Sequence, residues 1–299
     1  MPKRRCRQTA CHDSIRQYVI IVYFIRMNKA ALKHRTNSYF RKLNQSINDI
    51  FPGFETETIH QFRVNYKKLR AFFRMLASNH PSLTKPLISK NIKICYRICG
   101  EFRDLQLQQL RMNQIESMET LPYCSLLIQE NDRLKPELTA CIAEMNTRAN
   151  KKKMTDHLPE EFTAEDYAEY AGKIILELNT WAKANLITDD EIHSFRKLLK
   201  DLMYNFSLFK KTEPKFFINQ IFKEINELDI ERLLTELGEF QDKCSAIELI
   251  SLYWLSQLHS NSRLELSEIR KKWIKEKSAM RKKLEQKIKS FHLSPVSLP

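Results

Sequence analysis

Apolar residues recur at helical spacing along most of the chain, and no long segment alternates apolar and polar residues as a strand does. Prolines at positions 52, 81, 122, 159 and 214 separate successive apolar stretches. Helices joined by short turns pack as bundles, so the pattern predicts an all-α fold. The predicted helices span residues 28–49, 57–78, 83–117, 122–150, 160–184, 189–211, 214–229, 230–259 and 262–290.

Polar and charged stretches set the predicted domain boundaries. Residues 1–26 hold an apolar run, 18–25, that is shorter than the ~20 residues a membrane-spanning helix needs. Charged residues follow this run where a signal peptide has small cleavage-site residues, so we expect no stable membrane insertion. We interpret 1–26 as a dispensable or disordered extension, with Met27 as the working start. A first helical bundle over 27–150, a polar linker over 151–159 and a second bundle over 160–299 complete the predicted organisation.

Two short segments occur twice, in the same order. Residues 59–63, IHQFR, reappear 133 residues later as 192–196, IHSFR. Residues 100–104, GEFRD, reappear 138 residues later as 238–242, GEFQD, with four of five positions identical. Two ordered matches are hard to obtain by chance, so the sequence predicts an internal duplication that yields two pseudo-symmetric helical bundles.

The first repeated helix carries a cationic face beside its apolar stripe. At ~100° per residue, five basic side chains from His60 to Arg74 lie within an arc of ~80°. No Asp or Glu occurs between Thr58 and Gly100, and like charges at i,i+4 cost a helix a few tenths of a kcal/mol per pair. A solvated charge stripe is the simpler alternative. The absence of acids favours a face that binds an external polyanion in a basic central groove or channel.

The candidate binding residues lie mostly in the first half of the chain. In the second half Met203 and Ser207 stand where the first half has Arg70 and Arg74, so we expect the second face to bind more weakly. Two carboxylates, Asp104 and Asp242, are predicted to orient a guanidinium or a histidine. The predicted binding set is His60, Arg63, Lys67, Lys68, Arg70, Arg74, Lys90, Lys93, Arg97, His193, Arg196 and Lys200.

Composition narrows the possible chemistry. The 299 residues include 50 Lys and Arg against 36 Asp and Glu, which gives a formal net charge of +14. Only 4 glycines are present, which argues against a glycine-rich phosphate loop. The 7 cysteines are odd in number and form no Cys-x-x-Cys pair, so we expect free thiols in the reducing cytoplasm and neither a zinc ribbon nor a disulfide framework.

The repeated motifs resemble those of the CHAD family, named for conserved histidines in an α-helical domain. The resemblance rests on HQFRVNYKKLRA at 60–71 and RDL at 103–105, and more weakly on HSFRKLLK at 193–200 and LGEFQD at 237–242. It implies two bundles around a basic channel, binding of inorganic polyphosphate and association with polyphosphate granules. Carried onto this chain, it implies contacts from His60, Arg63, Lys67, Lys68, Arg70, His193, Arg196 and Lys200.

Three other functions compete with polyphosphate binding. RNA or DNA binding fits the same basic composition, although the cationic arc contains no aromatic residue for base stacking. Glu57-x-x-His60 and Asp190-x-x-His193 match one element of di-metal helical bundles, but Arg63 and Lys67 on the same face would repel metal ions. Hydrolysis of the polymer needs Mg²⁺ carboxylates that this face lacks. We therefore expect a binding protein without cofactor or catalytic activity.

Overall fold

The computed structural model describes residues 26–80, 83, 88–115, 117–184, 187–209 and 227–291. Within them the fold is all-α apart from one antiparallel pair of two-residue strands, β1 Met27–Asn28 and β2 Glu161–Phe162. A 3-10 turn, Met118–Thr120, precedes the fourth helix. The helices are α1 Lys29–Asn48, α2 Thr56–Ala77, α3 Lys90–Asn113, α4 Leu121–Ala143, α5 Thr147–Asp156, α6 Ala164–Ala182, α7 Asp189–Phe209, α8 Glu227–Leu249, α9 Leu252–Ser256 and α10 Ser260–Ser290.

Four helices from the two halves of the chain form a closed ring. Helix α2 packs against α3, α3 against α8, α8 against α7, and α7 back against α2. The apolar stripes predicted for α2 and α7 are buried: Ile59, Phe62 and Leu69 on α2, and Phe195 and Leu199 on α7, have no exposed surface. Burying one such side chain contributes ~1.5–3 kcal/mol, so these stripes fix which faces remain for polar chemistry.

The buried apolar residues of both halves belong to one contiguous core. Aromatic residues fill much of it, including Phe40 and Phe72 from the first half and Phe195 and Phe240 from the second. The chain entry to α1 is attached to the second half by the β1–β2 pair, in which Met27 lies opposite Phe162. The ring helices are therefore supported by packing that extends across the middle of the sequence.

Several predicted helix boundaries were wrong. The predicted helix 83–117 begins only at α3, after Ser89, whose side-chain oxygen accepts a hydrogen bond from the Ile92 amide at 3.4 Å. The predicted helix 122–150 is interrupted because Asn146 caps a separate helix, α5, by accepting from the Ala149 amide at 2.8 Å. That helix includes residues 151–156, which were predicted as linker. The predicted helix 230–259 likewise divides into α8 and α9.

Two capping boxes start helices in the second half. Thr188 and Glu191, in the spacing that is typical of a capping box, start α7: the Thr188 amide donates to Glu191 Oε2 at 2.7 Å, and the Glu191 amide donates to Thr188 Oγ1 at 3.2 Å. A second box, between Thr163 and Asp166, begins α6 and was not predicted. Reciprocal capping of this kind satisfies two amides that the helix itself cannot pair.

Two predictions fall largely outside the described residues: the extension over 1–26 and most of the helix over 214–229. Among the helices that are described, none has both the length and the apolar character required to cross a bilayer.

Candidate functional site

A cavity of about 480 Å³ lies within the ring of α2, α3, α8 and α7. Its size is within the range of ~300–1,000 Å³ that is typical of ligand pockets. Seven Lys or Arg side chains against three Asp side chains leave its lining with a formal charge of +4, apart from two histidines. The ionisable side chains that line it are His60, Arg63, Lys67, Arg70, Arg103, Asp104, His193, Arg196, Lys197, Lys200, Asp201 and Asp242, with the two tyrosines Tyr96 and Tyr204.

A glycine on the facing helix makes room for Arg63. The Arg63 guanidinium donates from Nη1 to the Tyr96 carbonyl at 2.9 Å and lies 4.6 Å from the centre of the Tyr96 ring. A Cβ on Gly100 would approach Arg63 Nη1 to 2.1 Å, so any larger residue there displaces the guanidinium. This contact explains why the motif pairs an arginine on α2 with a glycine on α3.

The second half repeats this arrangement less tightly. Arg196 on α7 lies over Gly238 on α8, and a Cβ at that glycine would lie 3.3 Å from Arg196 Nη2. The two repeated segments therefore meet in space in both halves, arginine from the first segment against glycine from the second.

Three guanidinium nitrogens at the cavity are buried without a hydrogen-bond acceptor among the described residues: Arg70 Nε, Arg103 Nε and Arg196 Nε. A buried donor without a partner costs ~1–3 kcal/mol, and more when the group is charged. Within the described residues the cation cluster is therefore not fully hydrogen-bonded.

Two of the three lysines that line the cavity have lowered pKa values. Burial, and then the neighbouring charge of Arg63, lowers the pKa of Lys67 from 10.5 to about 7. Burial, and then Arg196, lowers the pKa of Lys200 from 10.5 to about 8. Burial also lowers the pKa of Arg196. The cations are thus crowded enough to oppose one another's charge, a condition that a bound anion relieves.

Both predicted histidines line the cavity, and both are poor bases there. Burial is the main cause that lowers the pKa of His60 and of His193 below 6.5, and nearby cations, Arg103 and Lys197 respectively, add to it. His193 Nδ1 contacts Gln241 Oε1, which fixes the ring orientation. In the free protein the two imidazoles are mainly neutral at pH 7. The predicted imidazolium beside a bound polyanion remains a prediction.

The acids of the cavity differ in their contacts. Burial raises the pKa of Asp104 despite the nearby Arg63 and Arg103. Within the described part of the chain, no cation lies within 4.0 Å of Asp104 or of Asp242. The buried Asp201 instead accepts from Arg74 Nη1 at 2.7 Å. The orienting roles of Asp104 and Asp242 remain predictions. The residue that contacts His193 is Gln241, one position before Asp242.

Five of the predicted binding residues lie outside the cavity lining. Lys68 Nζ lies 5.7 Å from the centre of the Tyr204 ring, and Arg74 is paired with Asp201. The remaining three, on the first two turns of α3, are exposed. They are Lys90, Lys93 and Arg97, of which Arg97 forms ion pairs with Glu101 at 2.5 Å and Glu137 at 3.8 Å.

Sequence reasoning missed several lining residues. Arg103 could have been found, because it belongs to the repeated GEFRD segment. Lys197 directly follows the predicted Arg196, but its position on the helical wheel did not place it on the predicted cationic face. Tyr96 lies on α3, and nothing in the pattern of α2 indicates that this ring packs beneath Arg63. The others are Val64, Asp201, Tyr204, Gln241 and Ser245.

The metal-binding alternative gains no support from the described residues, which contain no group of three or more His, Cys, Asp or Glu side chains placed to hold a metal ion. In the first candidate motif, Glu57 Oε1 accepts a hydrogen bond from Gln61 Nε2 at 3.1 Å. In the second motif, Nδ1 of His193 contacts Gln241 Oε1, so that nitrogen already has a hydrogen-bond partner.

Comparison with known proteins assigns the chain to a family. The structure is similar to the crystal structure of the CHAD domain from the plant Ricinus communis, with a TM-score of 0.71 at 15% identity, over 89% of this chain and 92% of that one. It is also similar to PptA from Streptomyces chartreusis, with a TM-score of 0.64 at 11% identity, over 88% and 99% of the two chains. None of the curated proteins matches. Because the CHAD domain family model matches residues 36–251, the chain belongs to the CHAD domain family.

Proposed function

We propose that the protein binds inorganic polyphosphate in the cavity of the α2–α3–α8–α7 ring and does not hydrolyse it. The observation that carries the proposal is the excess of cations there: seven Lys or Arg side chains line the cavity, against three Asp side chains. CHAD domains are helical binding domains associated with polyphosphate and are generally non-catalytic.

The chemistry of polyphosphate matches this lining. The polymer carries about one charge per phosphate and no bases, so it is recognised by guanidinium and ammonium groups alone. Guanidinium groups donate in pairs to phosphate oxygens, whereas ammonium groups act as movable point charges. The cavity supplies both kinds, from both halves of the chain.

The tyrosines at the cavity are the observation that favours RNA instead, since single-stranded nucleic acids stack on aromatic rings. Tyr96, however, is already stacked on Tyr66 with ring centres 4.3 Å apart and is covered by the Arg63 guanidinium. Its ring is therefore committed within the protein, and we rank RNA second.

The test is a binding titration with polyphosphate, RNA and heparin at two salt concentrations. We expect polyphosphate to displace RNA at a far lower phosphate concentration than the reverse, with an affinity that falls steeply as salt rises. The double variant Arg70→Gln/Arg196→Gln should lose at least a hundredfold in affinity, since each hydrogen bond to a charged group contributes ~1.5–3 kcal/mol. Neither residue belongs to the apolar core, so helicity should be retained.

A control variant removes the same charge elsewhere. Lys272 and Lys282 lie on α10, outside the cavity lining. Changing both to Gln should alter affinity by less than threefold. Equal losses in the two double variants would assign binding to net charge and not to the cavity, and preferential binding of RNA would select the second function.

We further propose that the two halves arose by duplication, that they form the two predicted bundles, and that binding directs the protein to polyphosphate granules in the cytoplasm. The duplication is supported by the repeated arginine-over-glycine contact, Arg63 on Gly100 and Arg196 on Gly238. Granule association follows from polymer binding and is tested by whether the Arg70→Gln/Arg196→Gln variant loses it in cells.

A further inference from the structure

The ammonium group of Lys67 is placed among cations and lacks a counter-ion. Arg63 and Arg70 on its own helix, and Arg196 and Lys200 on α7, all act on it electrostatically. No carboxylate among the described residues lies within 4.0 Å of it. The side chain is partly exposed and lines the cavity, so small solutes reach it.

We propose that Lys67 is a site of covalent N-acylation by small acyl phosphates, and that this modification weakens binding of the polyanion. The second part rests on the proposed function, whereas the first requires only that the cavity accept a small phosphate. The cations that line the cavity, among them Arg70, Arg103 and Arg196, would attract that phosphate.

The reaction balances without any further reagent. The neutral Nζ of Lys67 attacks the carbonyl carbon of the acyl phosphate, and a carbon–nitrogen bond forms. The bond from that carbon to the bridging phosphate oxygen breaks, inorganic phosphate leaves, and the nitrogen releases its proton to solvent. The product is an uncharged amide, so one positive charge is lost from the centre of the cation cluster.

The cavity favours this reaction in two ways. It concentrates an anionic acyl donor beside the amine, and it holds the amine in its nucleophilic form. With a pKa of about 7, roughly half of Lys67 is neutral at pH 7, against about one in 2,500 for a lysine of ordinary pKa near 10.4. The other ionisable groups that line the cavity with Lys67 come from all four helices. They are His60 on α2, Tyr96, Arg103 and Asp104 on α3, His193, Lys197, Asp201 and Tyr204 on α7, and Asp242 on α8.

The neighbouring Lys68 is a matched internal control. It has the same backbone environment on α2, and burial lowers its pKa too, but it lies outside the cavity lining, beside Tyr204. Because the pKa of Lys67 is lowered further than that of Lys68, a more reactive amine alone would make Lys67 the faster of the two. Recruitment of the donor by the cavity is therefore tested by whether an anion that occupies the cavity protects Lys67 and leaves Lys68 unprotected.

The experiment treats the full chain with acetyl phosphate at pH 7 and follows each lysine by peptide mass spectrometry. We expect Lys67 to be acetylated at least tenfold faster than Lys68 or Lys272. Its rate should level off above about pH 8, where a lysine with a pKa of about 7 is already neutral. Inorganic tripolyphosphate should protect Lys67. Uniform labelling, or a Lys67 rate that keeps rising above pH 8, would overturn the proposal.

A second measurement separates the two proposals. The variant Lys67→Arg removes the amine, so it should carry no label at position 67, and its untreated form is the baseline for its own polyphosphate affinity. Acetylated wild-type protein should bind at least fivefold more weakly than untreated protein, whereas treatment should change the affinity of Lys67→Arg far less, through labels at Lys197 and Lys200 only. Selective labelling in a protein that does not bind polyphosphate would support the acylation site and refute the proposed function.

Discussion

At the scale of single residues, the site depends on glycines as much as on cations. Gly100 allows Arg63 to lie flat against α3, where the guanidinium reaches both the Tyr96 carbonyl and the cavity. A methyl group at this position would lie 2.1 Å from Arg63 Nη1, and the flexible guanidinium is the group that yields. The glycine therefore controls the position of a charge without itself contacting a ligand.

The substitution Gly100→Ala tests this role. We expect polyphosphate affinity to fall about ten- to a hundredfold, because the displaced Arg63 loses a charge-assisted contact of ~1.5–3 kcal/mol. Thermal stability should change little, since the higher helix propensity of Ala, worth ~1 kcal/mol, offsets the lost bond to Tyr96. Calorimetric titration and a melting curve measure both quantities.

The matched control is Gly238→Ala, where the added methyl group would lie 3.3 Å from Arg196 and requires only a small shift. It should weaken binding by less than fivefold. A larger effect at Gly238 than at Gly100 would contradict the assignment of the tighter contact to the first half.

Proton uptake on binding is the second prediction at this scale. At pH 7.5 Lys67, with a pKa of about 7, and Lys200, with a pKa of about 8, together lack about one proton in the free protein. A bound polyanion favours the charged amines and raises both pKa values. We therefore expect uptake of about one proton per bound chain, and affinity that rises as the pH falls from 9 to 7.

Titration calorimetry in buffers of different ionisation enthalpy measures this uptake directly. Below pH 7 the lowered pKa values of His60 and His193 add a further rise in affinity as the pH falls, because neutral imidazoles then take up protons beside the ligand. The variant Lys67→Met should remove most of the uptake at pH 7.5. Binding without proton uptake in the wild type would show that the amines are already charged.

At the scale of helices, the sequence predicted well the bounds of those helices whose ends depend on their own apolar pattern. The bounds of α2 and α7 fall within about two residues of those predicted, because each has an uninterrupted apolar stripe and a clear start. The start of α3 and the break before α5 depend on single capping residues, Ser89 and Asn146, within continuous apolar patterns. Such local hydrogen bonds compete with helix continuation and leave little trace in periodicity.

The composition of the site was predictable only in part, because a cavity is a relation between helices. Wheel positions on α2 correctly placed Arg63, Lys67 and Arg70 on one polar face. The same reasoning placed Lys90 and Lys93 of α3 in the binding set. In the structure these two lysines are exposed outside the cavity lining, and α3 contributes Arg103 to the lining instead. The sequence pattern of one helix shows which residues share a face, but the packing of the helices decides which other residues that face contacts.

At the scale of the whole molecule, the two sides of the cavity differ in charge. On one side, Lys197 and Asp201 are shared with a pocket of about 360 Å³ that also includes Arg74 and Glu177, so its two cations balance its two carboxylates. On the other side, Asp104 and Ser245 are shared with a pocket of about 270 Å³ lined by three further carboxylates and no cation. They are Glu101, Glu130 and Glu248. A long polyanion that fills the cavity should therefore extend past Lys197 and avoid the acidic side.

Chain length is the variable that tests this direction. Tripolyphosphate is short enough to remain in the cavity, whereas a long chain must leave it. Lys197→Gln should weaken binding of long chains severalfold more than binding of tripolyphosphate. For long chains, the slope of log affinity against log salt concentration should fall by about the contribution of one cation. Glu248→Gln should leave both affinities within twofold, because the chain does not pass it.

Lys93→Gln removes a lysine that is also exposed but lies outside the lining, and it serves as the charge control. If Glu248→Gln tightens long-chain binding while Lys197→Gln is neutral, the polymer leaves by the acidic side, and local charge does not set its direction.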